Sequence, residues 1–198
     1  MTIHSVDKRT AILRAATDVF ARRGFFNAQV ADVARAAGVA AGTVYLYFRS
    51  KDDLLVSIFE RTMREAIADG RACIEPLADP VEQLRALARV HLDRLGRDRN
   101  LAVVFQVELR QSTKFMERFS STLLRDYLGL IREAIADGQK HGAFRQDLKP
   151  TVAAKVLFGA LDEMATNWIL SNRRYALEPE ADAVVDIFIN GVRGPRPR

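Results

Sequence analysis

The residue types behind most enzyme and metal chemistry are few and scattered in this chain. Its histidines are His4, His91 and His141, and its one cysteine is Cys73. None belongs to an HExxH pair, a glycine-rich phosphate loop or a nucleophile elbow, so no catalytic constellation emerges. In His91-Leu92-Asp93 a helix puts the two polar side chains on different faces, which argues against a metal fragment. Cys73 has only Arg71 as a basic neighbour and reads as a plain thiol. A single cysteine also excludes a disulfide scaffold and multi-cysteine zinc or iron–sulfur sites. The expectation is a protein that is not an enzyme, with no metal and no cofactor.

The chemistry that the spacing does support is recognition of a polyanion. The 198 residues carry a formal charge of +5, unevenly distributed. Residues 1–50 hold seven bases against three acids, while residues 51–198 hold 23 bases against 22 acids. Within that basic quarter, a short helix over Gln29–Ala37, a turn at Gly38–Val39 and a second short helix from Ala41 have helix-turn-helix spacing. Gly38 supplies the left-handed backbone of the turn. The second helix begins with small residues, Ala40, Ala41, Gly42 and Thr43, which allow backbone N–H groups to approach phosphate closely. Tyr45 and Tyr47 offer hydroxyls to phosphates, and Lys51 follows at the next helix start. A helical hairpin that simply packs, with both tyrosines partly buried, fits the same spacing.

The elements that must position these residues all read as helices. Apolar residues recur every three or four positions in each long segment, and glycine or proline marks the ends. Gly24 ends a first helix through Ala11–Phe20. Ser50 with Asp53 is an Asp variant of the capping box opening a helix toward Gly70. Pro80 opens one ending at Gly96, and another starts near Asn100. Further helices run from about Phe115 to Lys140, from Val152 to Leu170 behind Pro150, and over 178–192. Alternating strand patterns, repeats and low-complexity tracts do not occur. The expected fold is all-α, with about nine helices. No window approaches the roughly 18 uncharged apolar residues of a membrane span. The N-terminus shows no apolar core with a cleavage site, so a cytoplasmic location without membrane attachment is expected.

One long series of spaced residues goes further. Gly24-Phe25, Val30-x-x-Val33-Ala34-x-x-Ala37-Gly38-Val39 and Gly42-Thr43-Val44-Tyr45-x-Tyr47-Phe48-x-Ser50-Lys51-x-x-Leu54 resemble the signature of TetR-family transcriptional repressors. The resemblance covers about residues 8–55. It implies an N-terminal three-helix DNA-binding domain (1–50) and a C-terminal helical ligand-binding and dimerisation domain (51–198). It also implies a homodimer that holds a palindromic duplex and releases it on binding a ligand. By the same resemblance, Gln29 lies at a phosphate contact, Ala41, Thr43 and Leu46 at base edges, and Tyr45, Tyr47 and Lys51 at phosphates. Ala28-Gln29 and Ala40-Ala41 replace the Thr-Thr and Ser-Lys pairs frequent in the family. Both changes remove hydrogen-bonding side chains and favour apolar contact with thymine methyls.

In the second half, Asn100-Leu101-Ala102-x-x-x-Gln106-x-Glu108-Leu109-Arg110-Gln111-Ser112 and Phe158-Gly159-x-x-Asp162-Glu163-x-x-Thr166-x-Trp168 resemble the FadR-type branch of that family. So does the Ala-Gly-Thr-Val-Tyr-Leu-Tyr-Phe run. This implies a repressor of fatty-acid degradation genes with long-chain acyl-CoA as effector. The apolar tunnel such a ligand requires would be lined by Leu101, Phe105, Leu109, Leu124, Leu128, Phe158, Leu161 and Trp168, with Glu108, Arg110 and Asp162 as polar groups. Each buried methylene of the chain is worth about 0.8 kcal/mol. The arginine run Arg85, Arg89, Arg94, Arg97 and Arg99 is basic enough for CoA phosphates and equally fits a solvated helix face. The final two helices, with Val156, Gly159, Ala160, Val184, Val185, Ile187 and Phe188, would form the dimer interface. Two other readings share the pattern: a TetR-type repressor sensing a different apolar molecule, and a helical lipid- or acyl-CoA-binding protein that never touches DNA.

Overall fold

The computed structural model describes residues 3–111, 122–171 and 175–192. Among them are nine α-helices and one short 3-10 helix. In chain order they are α1 (Ile3–Arg23), α2 (Val30–Ala36), α3 (Ala41–Tyr47), α4 (Lys51–Ile74), α5 (Pro80–Arg97), α6 (Arg99–Gln106), α7 (Leu123–Lys140), α8 (Pro150–Leu170) and α9 (Glu180–Val192). The 3-10 turn, Glu108–Gln111, follows α6. The all-α expectation holds. The expected start of a helix near Phe115 lies outside the described residues.

The chain packs as two units. One takes the described residues up to Thr62 together with those from Arg99 to Gln111. The other takes Met63–Asp98 and the described residues from Thr122 onward. The long helix α4 is covalently continuous from the first unit into the second.

The first unit is built on punctuation that the sequence displays. Gly24 and Gly38 sit at φ +75° and +67°, conformations that cost an L-residue steric strain. Val39 N–H then closes the turn onto Ala34 O at 3.0 Å. Ser50 Oγ accepts from Asp53 N–H at 3.1 Å, and the Asp53 carboxylate accepts from Arg49 N–H at 2.8 Å. That is the reciprocal cap expected of Ser50 and Asp53, reaching back to Arg49. Ile12, Ala16, Phe20, Val33, Val44, Leu54 and Leu55 are completely or almost completely buried. Helix α6 packs on α1, and Asn100 Nδ2 donates to Asp18 Oδ1 at 2.7 Å. The head is therefore larger than three helices.

In the second unit, α5, α7, α8 and α9 pack on one another around Leu84, Leu87, Leu92, Ile131, Leu157 and Leu161. Asp79 caps α5, accepting from Val81 N–H at 2.9 Å, with Pro80 in the first turn. Gly70, which by sequence looks like a helix end, lies inside α4. A Cβ there would come within 2.9 Å of Leu130 Cδ1 and 3.2 Å of Leu87 Cδ2. Its role is close helix approach, which local sequence does not distinguish from termination. No described helix is long and apolar enough to cross a membrane.

Candidate functional site

In the first unit, α3 is seven residues long and holds onto the core through Val44, with Phe48 buried just beyond its end. The rest of its surface is open. Leu46 is 82% exposed and Tyr45 56% exposed, and Ala40, Ala41 and Gly42 are also exposed. Thr43 and Tyr47 are half-buried, and Gln29 is exposed at the start of α2. Leu46 is thus a large apolar side chain that its own chain leaves unpacked. Ala40, at the N-cap, has no side chain to satisfy the first N–H groups of α3.

Lys51, expected at a phosphate, is engaged within the chain: its Nζ donates to Phe25 O at 2.7 Å, Phe26 O at 3.0 Å and Ala28 O at 2.9 Å. An ammonium has three donors, and all three are engaged. Nζ also lies 4.6 Å from the Phe25 ring centroid. Lys51 is thus a clamp on the α1–α2 loop.

Glu108, expected among the ligand residues, binds the same loop from the 3-10 turn. It is buried, and its Oε2 accepts from Phe25 N–H at 2.6 Å, with Gln111 Nε2 at 3.4 Å. Seen from the loop, Glu108 anchors one end and Lys51 ties down the carbonyls that follow. The partners are separated by 83 and up to 26 residues in sequence, so no local pattern reveals them. Leu101, Phe105, Leu109 and Arg110 also lie in the first unit. Phe105 stacks on Phe59 at 5.5 Å between centroids, and Arg110 is exposed.

The other expected ligand residues belong to the second unit: Leu124, Leu128, Phe158, Leu161, Asp162 and Trp168. Leu161 is buried, and Leu124, Leu128, Phe158 and Asp162 are half-buried. The Trp168 indole N–H is already engaged, donating to Tyr175 O at 2.9 Å. Phe158 is part of a cluster that the sequence left dispersed. His91 Nδ1 and the Tyr127 hydroxyl are 3.0 Å apart. The His91 ring lies 5.6 Å from Phe158 and 5.8 Å from Tyr127, and Tyr127 lies 6.1 Å from Phe158. Burial holds the imidazole neutral, its pKa pushed down to about 4, while the Asp162 carboxylate acts in the opposite direction. Burial also pushes the Tyr127 phenol up, so it stays protonated. His91 therefore is not isolated. Its spacing of four from Leu87 and from Leu95 places it on the inward face of α5, a signal legible in the sequence.

The arginine run is largely paired. Arg89 makes a bidentate pair with Asp182 at 3.0 and 2.7 Å. Arg85 pairs with Asp186, Arg94 with Glu65 and Asp69, and Arg97 with Asp93. A separate surface pocket of about 180 Å³ is lined by Arg71, Arg125 and Arg132, by Asp126 and Glu133, and by Gly129 and Leu130, with Arg132 paired to Glu133 at 3.1 Å. Cys73 donates its thiol to Gly70 O at 3.1 Å, and burial pushes that thiol up, as suits an unreactive side chain. No group of three or more metal-binding side chains occurs among the described residues.

A helix-turn-helix with an open second helix, in a chain that carries a separate helical unit, is the arrangement of a DNA-binding regulator. Residues 12–58 match the model of bacterial regulatory proteins of the tetR family, and residues 59–191 match that of the YsiA-like protein C-terminal region. The chain belongs to the TetR family and is a DNA-binding transcriptional regulator. It is 33% identical to the fatty acid metabolism regulator protein of Bacillus subtilis, over 93% of this chain and 95% of that protein. Its fold is similar to FadR, the fatty acid degradation regulator of Bacillus halodurans: TM-score 0.89, 36% identity, covering 95% and 97% of the two chains. It is similar as well to FadR of B. subtilis, solved in complex with stearoyl-CoA, with TM-score 0.87, 32% identity and coverage of 93% and 99%.

Proposed function

We propose that this protein represses fatty-acid degradation genes in the cytoplasm and leaves its operator when a long-chain acyl-CoA binds its C-terminal part. Residues 1–50 are the DNA-binding part in this reading, and 51–198 bind the ligand and dimerise. The observation that carries it is the 33% identity along almost the whole chain to a fatty acid metabolism regulator. The exposed face of α3 supports the DNA half of the reading. Gln29, Ala40, Ala41, Gly42, Thr43, Tyr45, Leu46 and Tyr47 remain its contact residues. Lys51 is assigned instead to holding the loop in place. The half-buried Phe158 and Asp162 beside His91, together with the half-buried Leu124 and Leu128 on the helix that carries Tyr127, support the ligand half. The pocket at Arg71, Arg125 and Arg132 holds three bases against two acids, Asp126 and Glu133, a small excess of the charge that CoA phosphates require.

The protein acts as a homodimer through α8 and α9. Val152 and Val156 on α8 and Ile187 on α9 are exposed apolar residues, and Gly159 adds an open small position. Val185 is 0% exposed and packs within its own chain, so it drops out of the interface. Val156, Gly159, Ala160, Val184, Ile187 and Phe188 remain in it. Two recognition helices related by a two-fold axis meet successive major grooves about 34 Å apart. Ligand favours a state in which that spacing is lost, a population shift transmitted along α4. The test is fluorescence anisotropy on a palindromic operator duplex. Binding should weaken steeply with salt and be reversed by micromolar stearoyl-CoA. Tight acyl-CoA binding with no affinity for any such duplex would favour the lipid-binding alternative.

A further inference from the structure

His91 carries a buried polar atom that its surroundings leave unmet. Its Nε2 is sealed from solvent and has no hydrogen-bond partner. Buried donors and acceptors are almost always hydrogen-bonded, so an orphaned one calls for an explanation. The identity of that orphan follows from its partner. Tyr127 is buried, and His91 is the hydrogen-bond partner of its hydroxyl. If Tyr127 O–H donates to Nδ1, the hydrogen of a neutral imidazole sits on Nε2, and one group is unmet: the Nε2–H donor. If Nδ1–H donates to the hydroxyl instead, both the phenolic hydrogen and the Nε2 lone pair are unmet. The first arrangement costs less. Both side chains remain in their neutral forms at physiological pH.

The cluster therefore presents one N–H donor, surrounded by the Phe158 and Tyr127 rings, with the Asp162 carboxylate acting on it electrostatically. That negative charge disfavours an anionic acceptor beside the ring and favours a neutral one. We infer that His91 Nε2–H is the polar anchor for the carbonyl oxygen of a bound acyl thioester, with Tyr127 holding the imidazole in the donating tautomer. This rests on the acyl-CoA reading above and adds to it the atom that distinguishes a thioester from an alkyl chain or a fatty-acid anion.

The test compares three ligands on the full-length protein by isothermal titration: stearoyl-CoA, its S-octadecyl thioether analogue, which lacks the carbonyl, and free stearate. Wild type should bind the thioester about tenfold more tightly than the thioether, and stearate more weakly still. In the His91→Phe, Tyr127→Phe double variant, which keeps both rings, the tenfold preference should vanish while the thioether still binds. Tyr127→Phe alone should reduce it, because the tautomer is no longer fixed. A carbon-13 label at the thioester carbonyl gives a second readout, its infrared band moving to lower frequency on binding wild type. Equal binding of thioester and thioether by wild type, or an unshifted band, overturns the assignment of His91 while leaving the acyl-CoA reading intact. Tighter binding of stearate than of the thioester assigns the donor to a carboxylate and also overturns it. Failure of wild type to bind either CoA compound defeats the reading itself, and the inference with it.

Discussion

Two charged side chains hold the entry to the helix-turn-helix. Lys51 gives three hydrogen bonds to the carbonyls of residues 25, 26 and 28, and Glu108 takes one from Phe25 N–H. Lys51→Ala should lower stability by about 2 kcal/mol in chemical denaturation, since three carbonyls lose a charged donor. It should leave the slope of log affinity against log salt for operator binding unchanged. A slope reduced by about one would instead make Lys51 a phosphate contact. Glu108→Ala should destabilise the protein by a similar amount without altering acyl-CoA affinity, and Glu108→Gln, which retains an acceptor, should lose less. His91 gives a pH signature. Its pKa falls from an ordinary 6.5 to about 4 on folding, so below pH 6.5 the unfolded chain takes up a proton that the folded one refuses. Stability should fall as pH drops from 6.5 towards 4, by on the order of 3 kcal/mol in total. His91→Phe should flatten that part of the denaturation profile. Neither clamp was legible in the sequence, because a carboxylate that accepts from a backbone N–H 83 residues away leaves no spacing signature.

At the scale of elements, glycines separate what local sequence reveals from what it does not. Gly24, Gly38 and Gly142 follow helices at positive φ, and Gly24 was readable as a stop and Gly38 as a turn. Gly70 and Gly138 read similarly or pass unnoticed, but they lie within helices where a neighbour approaches. A Cβ at Gly138 would fall 2.2 Å from the Phe144 ring, which is itself buried, whereas one at Gly129 would meet only side-chain ends at 3.8 and 3.9 Å. Gly138→Ala should therefore destabilise the protein by about 2 kcal/mol or more through overpacking. Gly129→Ala should stabilise it by about 0.5–1 kcal/mol through helix propensity. Thermal denaturation of the two variants makes the comparison. Apolar periodicity located the helices because a repeat of 3.6 residues is a local property. The inclusion of α6 and the 3-10 turn in the first unit was hidden, since it depends on which surface their apolar faces meet.

For the whole molecule, the uneven charge now has a structural counterpart. The basic first quarter contains α1 to α3, whose last helix offers exposed Tyr45 and Leu46. The near-neutral remainder supplies the unit with the His91–Tyr127–Phe158 cluster, where much of the arginine excess of α5 is paired with acids. The helix-turn-helix was legible because its residues form a short, contiguous run in the sequence. The His91–Tyr127–Phe158 cluster, with Asp162, draws on α5, α7 and α8, far apart in sequence, and only Phe158 and Asp162 of its members were anticipated. The proposed function couples these two parts of one chain. Its most direct test is anisotropy of a labelled palindromic operator held by the full-length protein, titrated with stearoyl-CoA at fixed salt. Release of the duplex at micromolar stearoyl-CoA, with free CoA inert, is the expected result. A complex that persists while calorimetry shows stearoyl-CoA bound to the same protein would contradict it.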